Sequence, residues 1–257
     1  GIDGQIGGAT GIYTQKQLGA EIAQVLIEPR RSACRANIDR LTSWQFDDDH
    51  PYGAAFKSDL NACLDDARMA AAGVKPANAR VGLFATSLQS YVKFTDDDSF
   101  NQRDRLMYEN LTSVLRSLPK QTKTVVWTAN VHAPRVPHDG TKPTASYFDP
   151  QDRKSIKGIG IVGASGTYGR QGRKPTALEP ASADSLEGMA LAGGDAESNY
   201  LSARQLLAYD KLPSRLLGYG RYQSAEWSHL FDGVLVLKSE RPPDFTRPPK
   251  PLPEASR

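Results

Sequence analysis

Arg103, Met107, Asn110 and Val114 follow one another at intervals of four, three and four residues. In a helix that spacing stacks them on one face. An arginine and an asparagine then border the same stripe as a core methionine and valine. Burying such groups without partners costs about 1–3 kcal/mol each, and more for the charge. Either they meet structural partners in a salt bridge or a supported loop, or they line a polar cleft. Further along, Thr128-Ala129-Asn130-Val131-His132-Ala133-Pro134-Arg135 follows the apolar run Thr124-Val125-Val126-Trp127. In open α/β sheets, ligands bind beyond the carboxyl ends of strands. A histidine placed there can exchange protons near neutral pH, although a lone loop histidine is more often structural or simply exposed. His50, His138 and His229 stand in polar surroundings, and the four histidines show no HxxxH or HxH spacing. No metal and no cofactor are therefore expected.

Other catalytic signatures are absent. There is no GxSxG nucleophile elbow, no phosphate-binding GxxxxGKS/T loop, and no GxGxxG opening a helix. Gly163-Ala164-Ser165-Gly166-Thr167 lacks the lysine and the following helix of a phosphate loop, and reads as a strand turn.

The elements that must position these residues are legible from periodicity. Leu18, Ile22, Val25 and Leu26 recur at helical spacing after a Thr14-x-x-Gln17 capping box, and Pro29 ends or kinks that helix. Cys34, Ile38 and Leu41 mark a second helix. Leu60, Leu64 and Ala67 mark a third, and Val81, Phe84, Leu88 and Tyr91 a fourth. Residues 12–95 thus read as a run of helices. Ser99-x-x-Gln102 caps the next, whose stripe is Met107, Leu111, Val114, Leu115 and Leu118, closed by Pro119. Then the pattern turns to strands: 124–127, 156–162, 165–168, 200–201, 216–217 and 233–237. Continuous apolar strands separated by helices indicate an α/β fold, with a central mixed sheet covered by helices and a mainly helical cap subdomain. The sequence reads as one domain over 1–240, with the helical cap inserted at 12–95. A tail over 241–257 carries six prolines.

Composition excludes several classes. The chain is 39% hydrophobic and 24% charged, with a net charge of +3 from 32 basic and 29 acidic residues of interspersed sign. No basic stripe marks a nucleic-acid partner, and no apolar run approaches the roughly 18 residues of a membrane span. Cys34 and Cys63 fall in phase with apolar helix positions and read as two buried free thiols. A disulfide between them would fit an exported protein. The opening residues resemble no signal peptide, so the sequence leaves a cytoplasmic and an exported location open. Oligomeric state is not legible.

Five segments in register resemble the erythromycin esterase family. Arg103-Asp104-Arg105-Leu106-Met107-Tyr108-Glu109-Asn110 resembles its RDxxMxxN helix. Val125-Val126-Trp127-Thr128-Ala129-Asn130-Val131-His132 resembles its VVWAHNxH strand and loop. Ile159 to Tyr168 resembles its glycine-rich strand pair, Ser185-Leu186-Glu187 its SLE element, and Phe231-Asp232-Gly233-Val234-Leu235-Val236 its terminal strand. Gly1-Ile2-Asp3 resembles the GfD that closes an earlier strand. The resemblance implies an α/β hydrolase that opens an ester, such as a macrolide lactone, with a histidine-activated water. It places that histidine in a GExxH segment ahead of the GfD element. The expectation is therefore that this sequence lacks that base, together with a sheet-forming unit of about 30 residues or more.

Carried over position by position, the resemblance implies His132, Arg103 and Glu187 as catalytic residues, and Asn130, Asn110 and Asp3 as substrate-binding residues. Arg103, Asn130 and His132 are expected to face one cleft, with Arg103 as the carbonyl or anion clamp. Ala129 departs from the family, which writes a histidine there. Asp184-x-x-Glu187 can equally be a helix cap, and Asp3 can equally hold a loop. The partner expected is a small-molecule ester. The alternatives are a ligand-binding protein without catalysis on the same scaffold, and an accessory role in polysaccharide assembly.

Overall fold

The structure is a computed structural model that describes residues 15–42, 53–72, 79–94, 96–169, 174–193, 195–218 and 220–242. Asp3, Thr14, His50 with its acidic turn, and the proline tail from 243 lie outside the described residues. The chain divides into two compact units: residues 1–127 with 137–149, and residues 128–136 with 150–257.

The first unit is helical. It holds α1 (Gln15–Ala23), α2 (Arg30–Thr42), α3 (Ala54–Ala72), α4 (Ala79–Phe94) and α5 (Phe100–Ser117). Each helix buries one stripe. In α3, Leu60, Cys63, Leu64, Ala67 and Ala71 recur at intervals of three and four and meet Ile22, Ile38, Val81 and Leu88 in one core. Full burial of a leucine or isoleucine contributes about 1.5–3 kcal/mol, so this stripe fixes how the helices pack. The Ser99 hydroxyl accepts the Gln102 N–H and starts α5, as its sequence indicates.

One reading of the sequence is corrected here. Cys34 and Cys63 are not free thiols: they form a disulfide, with Cα atoms 5.3 Å apart. The apolar phase of each cysteine was read correctly. That same phase points both into the α2–α3 seam, at a separation native disulfides adopt.

The second unit is α/β. It contains α6 (Pro150–Arg153), β1 (Ile159–Gly163), β2 (Gly166–Tyr168), β3 (Thr176–Leu178), α7 (Leu186–Ala190), β4 (Ser198–Ser202), α8 (Ala203–Leu206), β5 (Pro213–Ser214), β6 (Gln223–Ser224), α9 (Trp227–Leu230) and β7 (Gly233–Leu237). The main sheet has the order β1-β7-β4. β7 is central, parallel to β1 (Ile161 opposite Leu235) and antiparallel to β4 (Tyr200 opposite Leu235). Its uninterrupted Gly-Val-Leu-Val-Leu run suits a strand paired on both edges, and Val234 and Val236 are fully buried against Leu186, Leu201, Trp227 and Phe231. β2 pairs with β3, and β5 with β6, as two small ribbons.

Two strand assignments do not hold. Residues 124–127 form no strand: Val125 is 89% and Trp127 84% exposed. β-Branched side chains favour a pleated surface, but a strand also needs a neighbour to take its backbone N–H and C=O groups. Among the described residues none pairs with this segment. Leu216 and Leu217 are buried in a turn that follows β5 rather than in a strand.

Candidate functional site

The site is best followed along the open edge of β1. Asn130, Val131 and His132 form a single turn of 3-10 helix. The Asn130 carboxamide faces Ile161 in the middle of β1: Nδ2 donates to the Ile161 carbonyl at 2.7 Å, and Oδ1 accepts the Ile161 N–H at 3.1 Å. Three residues later the Ala133 carbonyl passes Gly158 so closely that a Cβ there would sit 3.0 Å from its oxygen. The segment therefore runs back along β1, antiparallel to it, toward its amino end. Val131 and Ala133 pack on the sheet core, while His132 is only 5% exposed.

Arg135 locks the far end of this segment. Its Nη1 meets Asp232 Oδ1 at 2.9 Å, Nη2 donates to the Ser228 carbonyl, and Nε donates to the His229 carbonyl. Asp232 uses its other oxygen to accept the Gly158 N–H at 3.0 Å. The aspartate of the Phe231-Asp232-Gly233 element thus ties β1, the approach to β7, and the His132 segment together. Sequence reading gave this aspartate no role, because its partner Arg135 lies nearly a hundred residues away in the chain.

Glu187 lies elsewhere on the same unit, fully buried. It is not the cap of α7: the Ser185 hydroxyl accepts the Gly188 N–H and takes that part. Glu187 Oε1 accepts the Ser214 hydroxyl at 2.9 Å and the Arg215 N–H at 2.7 Å. Arg215, 6% exposed, sends Nη1 to the Glu179 carbonyl and Nη2 to the Ala164 carbonyl just past the end of β1. Asn130 and the Glu187–Arg215 pair are thus tied to one strand, at its middle and its carboxyl end. Arg215 and Glu240 were missed by sequence reading, since neither stands in a local motif.

In the helical unit, Asn110 is buried on α5 and its Oδ1 accepts the Ser90 hydroxyl at 2.9 Å. Arg103 stands half-buried on the first turn of the same helix. Its neighbour Asp104 is fully buried and takes both the N–H and the hydroxyl of Thr144, the latter at 2.7 Å. The first two letters of the RDxxMxxN pattern therefore do different work: the aspartate secures the 144–147 turn on α5. Among the described residues no three His, Cys, Asp or Glu side chains gather as metal ligands would, and no helix is long and apolar enough to cross a membrane.

A family model described as erythromycin esterase matches residues 20–239. The chain belongs to the erythromycin esterase family. Three solved structures share its fold. The erythromycin esterase EreC, a mutant in its open conformation, is 13% identical with a TM-score of 0.56, over 88% of this chain and 66% of that one. A succinoglycan biosynthesis protein is 14% identical with a TM-score of 0.65, over 88% and 62%. A Bacillus cereus protein is 14% identical with a TM-score of 0.64, over 88% and 64%. The match thus spans less than two thirds of the length of each. At these identities the likeness establishes the α/β fold. No curated protein matches the chain.

Proposed function

We propose that this erythromycin esterase family member serves the hydrolysis of a carboxylic ester, with His132 as its proton-transferring residue. The observation that carries the reading is the double hydrogen bond between Asn130 and Ile161. It anchors a one-turn segment to a strand, and a catalytic imidazole needs such a fixed mount. In this reading His132 passes a proton between water and the leaving alcohol. Asn130 positions the turn, and Glu187 positions Arg215. Arg103 serves as a carbonyl clamp through its planar, multiply donating guanidinium, and Asn110 as a substrate contact.

A second reading, ligand binding without turnover, is favoured by Ala129. Its methyl group carries no proton where the family writes a histidine. Both readings are tested on p-nitrophenyl acetate and on erythromycin, using the intact chain and His132→Ala. Hydrolysis of the chromogenic ester that falls by about 10²-fold or more in the variant supports the first reading. Erythromycin, a far less activated ester, is expected to remain unchanged by mass spectrometry. Saturable erythromycin binding with no turnover of either ester replaces the first reading with the second.

A further inference from the structure

The parallel strands β1 and β7 end side by side, with Gly163 opposite Leu237. Open α/β sheets bind ligands beyond such ends. Here the chain leaves β7 and folds back over β1: the Glu240 carbonyl accepts the Thr167 N–H, and its own N–H donates to the Ser165 carbonyl. The Glu240 side chain lies across the last residue of β1. A Cβ on Gly163 would sit 2.6 Å from Glu240 Cγ, so the glycine makes the room for it. Its carboxyl takes the Gly163 N–H and faces the Arg215 guanidinium. The exposed ring of Tyr222 covers that guanidinium at 5.1 Å.

Behind Glu240, two buried polar atoms have no hydrogen-bond partner among the described residues. They are Nε of Arg215, a donor, and Oε2 of Glu187, an acceptor. Their residues are already joined through Glu187 Oε1 and the Arg215 N–H. Leaving both unmet is costly. A hydroxyl group can donate one hydrogen bond and accept others, so it matches a free donor beside a free acceptor. Charge points the same way. Glu187 and Arg215 offset one another, and burial raises the Glu240 carboxyl above the usual glutamate range despite the opposing pull of Arg215. An anion would meet two carboxyl groups, and a cation would meet the guanidinium.

We propose that the carboxyl ends of β1 and β7 form a ligand site in which Glu240, Arg215 and Glu187 take the hydroxyl group of a neutral small molecule. Glu240, half-buried, is the member that a ligand meets first. The Tyr222 ring is the wall against which the ligand's carbon skeleton lies.

The probe is glycerol, titrated into the isotope-labelled chain while backbone amide signals are followed by NMR. Glycerol is expected to shift the amides of Gly163, Ala164, Arg215 and Glu240 together and saturably. Acetate and methylammonium at equal concentration leave them in place. Glu240→Gln, which keeps a neutral donor and acceptor, binds as the parent does. Glu240→Ala binds about fivefold more weakly, the size of one hydrogen bond. His132→Ala leaves the glycerol response unchanged, so this site stands or falls apart from the esterase reading. Scattered or unsaturable shifts overturn the proposal, as do equal shifts with acetate or methylammonium, or an unchanged response in Glu240→Ala.

Discussion

The side-chain amide of Asn130 pairs with the backbone of Ile161 as a neighbouring strand would, donating to its carbonyl at 2.7 Å and accepting its N–H at 3.1 Å. A free sheet edge is a template for unwanted pairing. One side chain here satisfies both backbone groups at the middle of β1 and holds the His132 turn in place.

Asn130→Ala removes both bonds at once. The expected cost is about 1–3 kcal/mol, because a half-buried N–H and C=O lose their partner. Asn130→Asp keeps an acceptor for the Ile161 N–H but sets a carboxylate against its carbonyl, so it restores little. Urea denaturation of the three proteins measures this. Two variants as stable as the parent would show that solvent replaces the amide freely.

The disulfide between Cys34 and Cys63 closes a loop with a sequence separation of 29 residues. Cross-links over loops of that order contribute about 3–4 kcal/mol by restricting the unfolded chain. Replacing both cysteines with alanine is expected to lower stability by that order. Mass spectrometry after alkylation under denaturing conditions should find no free thiol in the parent. Two alkylated cysteines in protein that was never reduced would reinstate the free-thiol reading.

Glu240 gives stability a pH dependence of stated sign. Burial raises its carboxyl above the ordinary value, with Arg215 and the Gly163 N–H pulling the other way. A raised acid favours the folded state in its protonated form. Its contribution is fully present below the unfolded glutamate pKa and is lost as pH rises through the higher folded value. Glu240→Gln cannot ionise and should gain on the parent across that window. Parallel denaturation curves of the two proteins from acid to neutral pH decide it. A parent that gains on the variant as pH rises would mean that Arg215 dominates.

Much of the fold was legible because it is written in local patterns. The Ser99 cap, the Leu60–Ala71 stripe and the apolar run of β7 each declare an element within a few residues. What escaped reading depends on distant partners. Thr124 to Trp127 has strand composition, but pairing is a property of two segments. Asn130 stood out by its place in a motif, yet its work with Ile161 joins residues 31 apart in sequence. Arg215 and Glu240 meet at the end of β1 from segments with no signature of their own. Each candidate residue was visible as a letter in a pattern, and the bond it makes was not.

The segment Thr124–Trp127 carries the last prediction. It combines two valines and a tryptophan with extended, unpaired backbone, and Val125 and Trp127 are almost fully exposed. Short runs with high β-propensity, no proline and little charge are the usual seeds of intermolecular pairing. Lys123 is the nearest charge and stands outside the run. Val125→Lys places a charge within it, on a side chain that contributes almost nothing to either core. The variant should therefore show the parent's urea midpoint while staying monomeric at concentrations where the parent associates. Static light scattering against concentration, beside denaturation curves, separates the two effects. If the substitution lowered stability as much as a buried valine loss, about 1 kcal/mol or more, Val125 would be packed in solution. The segment would then be a strand after all.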